Sequence, residues 1–291
     1  MKRGVPGTPR AVRDVLAQAA AHLGAADVES PRLDAEVLLL HLLGWERAQL
    51  YAALADPLPD EVAEQYAALL AERVSGVPVA YLVGAREFMG LPFAVGPGVL
   101  VPRPETECLV EWLAGRVRAE PRWRAAVTIA DVGTGSGAIA LSLAQLLPQA
   151  RIVAIERSPA ALRYTRRNRA ALDLDNRVLL VHGDLLGPAG AVNVIAANLP
   201  YLRPDQLHAG IAAEPVEALV AGPDGLDLYR ALLPQAAARL RTPGLLAAEI
   251  DPSQATAMVA LGHAAFPDAV IGVERDLAGR DRFLTVERRA G

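Results

Sequence analysis

The chain has 291 residues, 52% of them hydrophobic and 21% charged, with a formal net charge of −4. That length suits two domains and that apolar content suits packed cores, while the acidic balance excludes the basic footprint of a general nucleic-acid binder. A single cysteine, Cys108, excludes an internal disulfide and a cysteine-built metal cluster. With no apolar run near the ~18 residues a bilayer span needs, a cytoplasmic protein without a membrane segment is expected.

The Arg-bearing stretch Met1–Arg13 lacks the serine enrichment of an organellar presequence. From about Pro9 to Ser75 apolar residues recur at helical spacing, with Val12, Val15 and Leu16 on one face and Leu33, Val37, Leu38 and Leu42 on another. Ser30 before Pro31 predicts a helix start and Gly44 its end. A helical bundle over residues 1–76 follows, either a structural domain or one that recognises a protein substrate. Over 77–103 glycines separate short β-like pieces, Glu87–Met89 and Pro92–Val95, which predicts a β-hairpin linker.

From 104 to 291 strand and helix signals alternate. Helices are predicted near 105–118, 138–147, 159–171, 226–240 and 253–265. Strands are predicted near 127–131, 151–156, 177–182, 192–197, 244–250, 269–274 and 282–287. Such alternation predicts an α/β fold with a mostly parallel, doubly wound sheet, closed by an antiparallel hairpin through Asp276–Arg280. Arg163, Arg166, Arg167 and Arg169 read as the solvated face of a helix. His41, His182, His208 and His263 have no ligand-like spacing, and no metal is expected.

Two stretches carry chemistry. Asp131-Val132-Gly133-Thr134-Gly135-Ser136-Gly137-Ala138 joins a strand to a helix, and its glycines allow a sharp turn and close approach of a ligand. Gly133, Gly135 and Ala138 also satisfy the dinucleotide fingerprint, with Glu156 ending the next strand where a ribose acid belongs, so NAD is a rival ligand. Asp131, the extra Gly137 and the later Asn198 turn favour S-adenosylmethionine, whose ammonium gains from a carboxylate that a pyrophosphate would avoid. Asp184, after Leu179-Leu180-Val181, is placed to accept from an adenine amino group, with Leu185 packing on the ring. The second stretch, Asn198-Leu199-Pro200-Tyr201, ends an apolar strand. Pro200 biases Leu199 to an extended backbone, so the Asn198 side-chain oxygen and the Leu199 carbonyl can both accept from one planar NH2 group, closed by Tyr201.

In this order the glycine loop, Glu156, Gly183-Asp184-Leu185 and the Asn198 turn resemble a class I S-adenosylmethionine-dependent methyltransferase acting on nitrogen, whose sheet has seven strands. Three further segments narrow the resemblance to the HemK/PrmC family: Val101-Pro102-Arg103-Pro104-Glu105-Thr106-Glu107, Asp224-Gly225-Leu226-Asp227-Leu228-Tyr229-Arg230, and Asp276-Leu277-Ala278-Gly279-Arg280-Asp281-Arg282. Pro31-Arg32-Leu33-Asp34-Ala35-Glu36 and Gly76–Gly84 extend the likeness into the helical region. The family usually has proline where this chain has Leu199, and often aspartate where it has Glu156. The resemblance implies methyl transfer from S-adenosylmethionine, leaving S-adenosylhomocysteine, to the glutamine amide in the Gly-Gly-Gln loop of class-1 peptide-chain release factors. It implies a monomer with no stable nucleic-acid partner, a recognition role for residues 1–76 and a methyltransferase domain over 104–291. Arg103 and Glu105 would help shape the lid of the cofactor pocket. An Asn-Leu-Pro-Tyr turn also resembles the ribosomal RNA adenine dimethyltransferases, which leaves an N-methyltransferase acting on adenine in RNA or DNA as an alternative, and a non-catalytic S-adenosylmethionine-binding partner protein as another.

Overall fold

Apolar spacing up to Ser75 is helical, and a computed structural model describing residues 10–289 bears that out. The first nine residues of the Met1–Arg13 stretch lie outside the described residues. The chain divides into two compact units, one running to Gly84 and taking in His208–Ala213, the other made of Ala85–Leu207 and the chain from Glu214 onward.

The first unit contains α1 (Val12–Ala25), α2 (Pro31–Leu43), α3 (Arg47–Ala52), α4 (Asp60–Val74) and a short α5 (Val79–Val83). Val12, Val15, Leu23, Leu38, Leu39, Leu50 and Tyr66 form its core. Pro31 opens α2 and Gly44, at φ 63, closes it with its N–H on the Leu40 carbonyl, whereas the Ser30 side chain makes no cap bond. The α2 face differs from the expected one: Leu33 is exposed and Ala35, Leu38 and Leu39 are buried. The run Val37-Leu38-Leu39-Leu40 is apolar on every side, so spacing alone does not choose which side turns inward. Asp34 of the Pro31–Glu36 segment pairs with Arg73 at 2.7 Å, and the Tyr66 hydroxyl donates to the Ala35 carbonyl at 2.8 Å. Val79–Val83, expected within a hairpin linker, is helical between Pro78 and a left-handed Gly84.

The second unit opens with an antiparallel hairpin, β1 (Ala85–Phe88) and β2 (Leu91–Ala94). A 3-10 turn, Pro104–Thr106, leads into α6 (Glu107–Ala119). Then follow β3 (Val127–Val132), α7 (Ala138–Leu146), β4 (Ala150–Glu156), α8 (Pro159–Ala171), β5 (Val178–His182), β6 (Val192–Ala197), α9 (Asp227–Arg239), β7 (Leu240–Glu249), α10 (Ala255–Ala265), β8 (Val270–Arg275) and β9 (Asp281–Arg288). The seven strands β3–β9 form one sheet ordered β5-β4-β3-β6-β7-β9-β8, parallel except at β9.

Successive residues of the central strands face opposite sides, as strand geometry requires. Ile129, Val194 and Ala196 join one core with Leu109, Leu113, Leu141 and Leu143 of α6 and α7. Ala130, Ile195 and Ala197 join the other with Leu232 and Leu233 of α9 and Met258 of α10. Both faces are covered, which is why these strands read as unbroken apolar runs. Arg163, Arg166 and Arg167 are exposed on α8, while Asn168 on its inner side bonds both backbone groups of Ala94 and the Ser136 carbonyl. The hairpin and the glycine turn are thereby tied to the same helix. Leu141 is fully buried in the first core; Leu141→Ala is expected to lower unfolding free energy by about 2–5 kcal/mol, read from urea denaturation of the whole chain.

Candidate functional site

Parallel register brings the carboxyl ends of three strands level: Val132 of β3 lies beside Ile155 of β4 and Ala197 of β6. The residues that follow are Gly133, Glu156 and Asn198, so the two stretches singled out in the sequence meet at one crevice, where open parallel sheets place their ligands. Glu156 pairs with His182 at the end of β5, which brings Gly183-Asp184-Leu185 to the same rim. A cleft with about 990 Å³ of empty space, part of it open to solvent, is lined by Gly133, Thr134, Gly135, Ser136, Glu156, Asp184, Leu185, Asn198, Leu199 and Pro200. Its apolar wall includes Phe88, Val99, Pro102 and Ile155.

The glycine turn is a cradle in the strict steric sense. Gly133 and Gly135 sit at φ 72 and φ 58, in the left-handed region. A Cβ on Gly133 would come within 2.8 Å of the Leu199 side chain, so the two halves of the site interlock. Gly135 donates its N–H to Glu156 Oε2 at 3.0 Å and Ser158 donates to Oε1 at 2.8 Å. The carboxylate is thus clamped with a lone pair on each oxygen left for a pair of vicinal hydroxyls. Asp184 is exposed at the rim, and Leu185, buried beside it, is held at φ 46.

Three expected positions lie behind the cleft wall. Gly137 does not line it; at φ 89, a Cβ there would meet Leu141 and Thr165 at 2.9 Å, so its glycine serves helix packing. Asp131 is fully buried under the loop, where Oδ2 accepts from Thr134 Oγ1 at 2.6 Å and from the Ala140 N–H at 3.1 Å. Its Oδ1 has no partner, an acceptor left over beneath the turn. Burial pushes this carboxyl up to about 7, with the nearby Glu156 charge adding to it and the two hydrogen bonds opposing. Tyr201 turns its hydroxyl to Glu249 Oε1 at 3.2 Å instead of facing the cleft, and burial followed by the Glu249 charge raises its pKa.

The supporting residues come mostly from segments whose chemistry the sequence left open. Asn198 donates through Nδ2 to Thr106 Oγ1 at 3.1 Å, and Thr106 donates to Glu249 Oε2 at 2.6 Å. Leu199 donates its N–H to the Tyr229 hydroxyl at 3.4 Å, a bond that proline at this position could not make, and Tyr229 donates to the Glu249 carbonyl. Gly225, at φ 74, packs so closely that a Cβ would sit 2.0 Å from the Tyr201 carbonyl. Gln254 donates to that carbonyl at 2.8 Å and to the Asp224 carbonyl at 3.1 Å. Arg103 pairs with buried Glu214 at 2.5 Å, and Glu214 also accepts from the Val101 N–H at 2.9 Å. Glu105 stands 3.9 Å from Arg280. Glu249, Glu214 and Gln254 were missed in the sequence; the signal for Glu249 is a lone acid closing the apolar run Leu245–Ala248. Among the described residues no group of three or more His, Cys, Asp or Glu could hold a metal ion.

These residues fit an aminoacyl nucleoside: a glycine cradle, a clamped carboxylate for ribose hydroxyls and an apolar wall for a purine. Comparison with known proteins points the same way. Residues 14–84 match the family model for the PrmC N-terminal domain and residues 124–186 that for a methyltransferase domain. The chain is 44% identical over 283 residues to a release factor glutamine methyltransferase of Moorella thermoacetica, covering 96% of this chain and 99% of that one. It is 41% identical over 285 residues to its counterpart in Mycolicibacterium smegmatis, covering 96% and 98%. A solved methyltransferase from Pyrococcus furiosus shares the fold, with a TM-score of 0.51 and 17% identity over 78% of this chain and 100% of that one.

A carboxyl whose folded pKa lies above its unfolded value stabilises the fold below the unfolded pKa and loses that contribution as pH rises. Between about pH 4 and about pH 7 the wild type is therefore expected to lose stability relative to Asp131→Asn, as read from urea midpoints across that range.

Proposed function

The chain belongs to the release factor glutamine methyltransferase family, and we infer from this that it transfers a methyl group from S-adenosylmethionine to the glutamine side-chain amide in the Gly-Gly-Gln loop of class-1 release factors. The observation that carries the reading is the meeting of the glycine cradle and the Asn198 turn in one cleft, with Leu199 packed against Gly133.

When bound, S-adenosylmethionine supplies a methyl group made electrophilic by its sulfonium. Gly133, Thr134, Gly135, Ser136, Glu156, Asp184 and Leu185 would hold it, with Asp131 bracing the loop from beneath through Thr134 and the Ala140 N–H. The difficulty lies with the acceptor, since an amide nitrogen delocalises its lone pair into the carbonyl. Asn198 Oδ1 and the Leu199 carbonyl would each accept one N–H of the substrate amide, fixing its plane and turning the lone pair toward the methyl. Such positioning can lower a barrier by up to ~7–11 kcal/mol in ideal cases. Pro200 keeps the two acceptors on one side by holding the turn extended, and Phe88, Val99 and Pro102 give the cleft an apolar wall. Once methylated, the nitrogen is cationic and acidic, so water or a neighbouring acceptor suffices to take its proton. Tyr201 braces the turn from behind through Glu249, in place of closing over the amide.

The helical unit, residues 1–76 in this reading, would recognise the release factor; support comes from its own core and its match to the PrmC N-terminal domain. The working enzyme is a monomer in this proposal. It would act in the cytoplasm on its protein substrate, without a stable nucleic-acid partner. Asn198→Ala is expected to lower methyl transfer to release factor by about 10²–10³-fold, the cost typical of losing one oriented polar contact at a reacting centre, while equilibrium binding of S-adenosylmethionine stays at the wild-type level. Mass spectrometry of the release factor glutamine reads the first quantity; methyl incorporation into RNA or DNA with none into release factor would replace this reading with an adenine methyltransferase.

A further inference from the structure

The Asn198 side chain has two chemically opposite ends, and only one of them can accept from a substrate NH2 group. We propose that Glu249 and Thr106 are positioning residues which decide which end faces the substrate, through a hydrogen-bond chain that can run in only one direction. The inference rests on the reading of Asn198 as the acceptor for the substrate amide.

Chemical inventory sets the direction. Ionised Glu249 has acceptors and no donor, so the Thr106 hydroxyl, 2.6 Å from Oε2, must spend its single proton there. Toward Asn198, 3.1 Å away, Thr106 Oγ1 then has only a lone pair to offer. Asn198 must answer with Nδ2, which leaves Oδ1 as the end available to the cleft that Asn198 lines. Without this chain the two ends of the amide are nearly isosteric and nothing steric would choose between them. Glu249 is only 1% exposed, so no bulk water competes for its oxygens. Its other oxygen is taken by the Tyr201 hydroxyl at 3.2 Å. One carboxylate thus braces both ends of the Asn198–Tyr201 turn.

The charge on Glu249 is the element that can fail. Burial raises its pKa from the ordinary carboxylate value, and Glu105 adds to this; the Thr106 and Tyr201 hydrogen bonds and the Arg282 charge oppose it. Arg282 is itself held at 2.8 Å by Asp276, and Arg280 lies 3.3 Å from the same Asp276 and 3.9 Å from Glu105. Arg103, which also acts on Tyr201, is paired with Glu214. A protonated Glu249 would carry a donor of its own. Thr106 could then accept from it and donate toward Asn198, and the amide would turn its NH2 group to the cleft, donor against donor.

The test uses the full chain, labelled S-adenosylmethionine and release factor. Thr106→Val removes both the donor and the acceptor and is expected to lower kcat by about 10–100-fold, the scale of a small misplacement at a reacting centre, with S-adenosylmethionine affinity unchanged. Thr106→Ser restores the chain and is expected to recover most of that loss. Glu249→Gln presents either a donor or an acceptor to Thr106, so kcat should fall and the acid limb of the wild-type kcat profile should disappear. Wild-type turnover in Thr106→Val overturns the proposal, as do equal losses in Thr106→Val and Thr106→Ser, or an acid limb that is missing in wild type or persists in Glu249→Gln. Asn198→Ala separates the two readings. If that variant turns over like wild type the acceptor assignment itself fails; if it is inactive while Thr106→Val is not, only the positioning chain fails.

Discussion

Everything in the site depends on the register of three neighbouring parallel strands. Because Val132, Ile155 and Ala197 lie level, the residues one step beyond them emerge together, and a glycine turn, a carboxylate and an asparagine that are far apart in the chain share one crevice. A shift of one residue in any of these strands would turn its inward side chains outward and remove its contribution from the cleft. The two-sided apolar burial of β3, β4 and β6 is what makes such a shift costly. Register is therefore the constraint from which the chemistry follows, and the core on both faces is what enforces it.

Around that crevice the structure gives physical meaning to segments that carried only a resemblance. The Val101–Glu107 segment supplies Arg103 for Glu214, Thr106 for Asn198 and Glu249, and Glu107, which accepts from the Met89 N–H at 2.7 Å. Asp224–Arg230 supplies Gly225, whose missing side chain lets the Tyr201 backbone approach, and Tyr229. In Asp276–Arg282 the Asp276 carboxylate accepts from the Ala278 and Arg280 N–H groups and pairs with Arg282. These hydrogen bonds and the arginine charges hold the Asp276 pKa well below the usual carboxylate range. None of the three segments is a catalytic motif in the sense of touching the reacting atoms through most of its residues. The first two act as a scaffold that holds the Asn198–Tyr201 turn, through Thr106, Tyr229 and the space left by Gly225, as expected where a site must be held within a fraction of an ångström.

Legibility in the sequence followed the range of the interaction. Strand and helix periods, the glycine turn and the Pro200-constrained turn are local, and the elements they predict are present with small shifts at their ends. Leu33 and Val37 mislead because the four-residue apolar run Val37–Leu40 offers a hydrophobic side chain in every direction, so spacing selects no inward face until the helix meets a partner. Sequence alone puts Tyr201 and Gly137 in the cleft because nothing local tells an aromatic or a glycine which side of a wall it occupies. Position beside the glycines suggests that Asp131 faces a ligand directly, yet Thr134 and Ala140 already hold one of its oxygens beneath the turn.

The sequence by itself determined the α/β alternation, the separate helical region, the two chemical stretches and the order in which they occur, because each rests on spacing within a few residues of chain. Only tertiary structure decided which of those residues share a wall, which are braces, and that Glu249 at the end of β7 stands behind Asn198, the residue just past β6. That pairing joins residues 51 positions apart, fixed by strand register and by a buried carboxylate's need for donors, and neither leaves a mark on the local pattern.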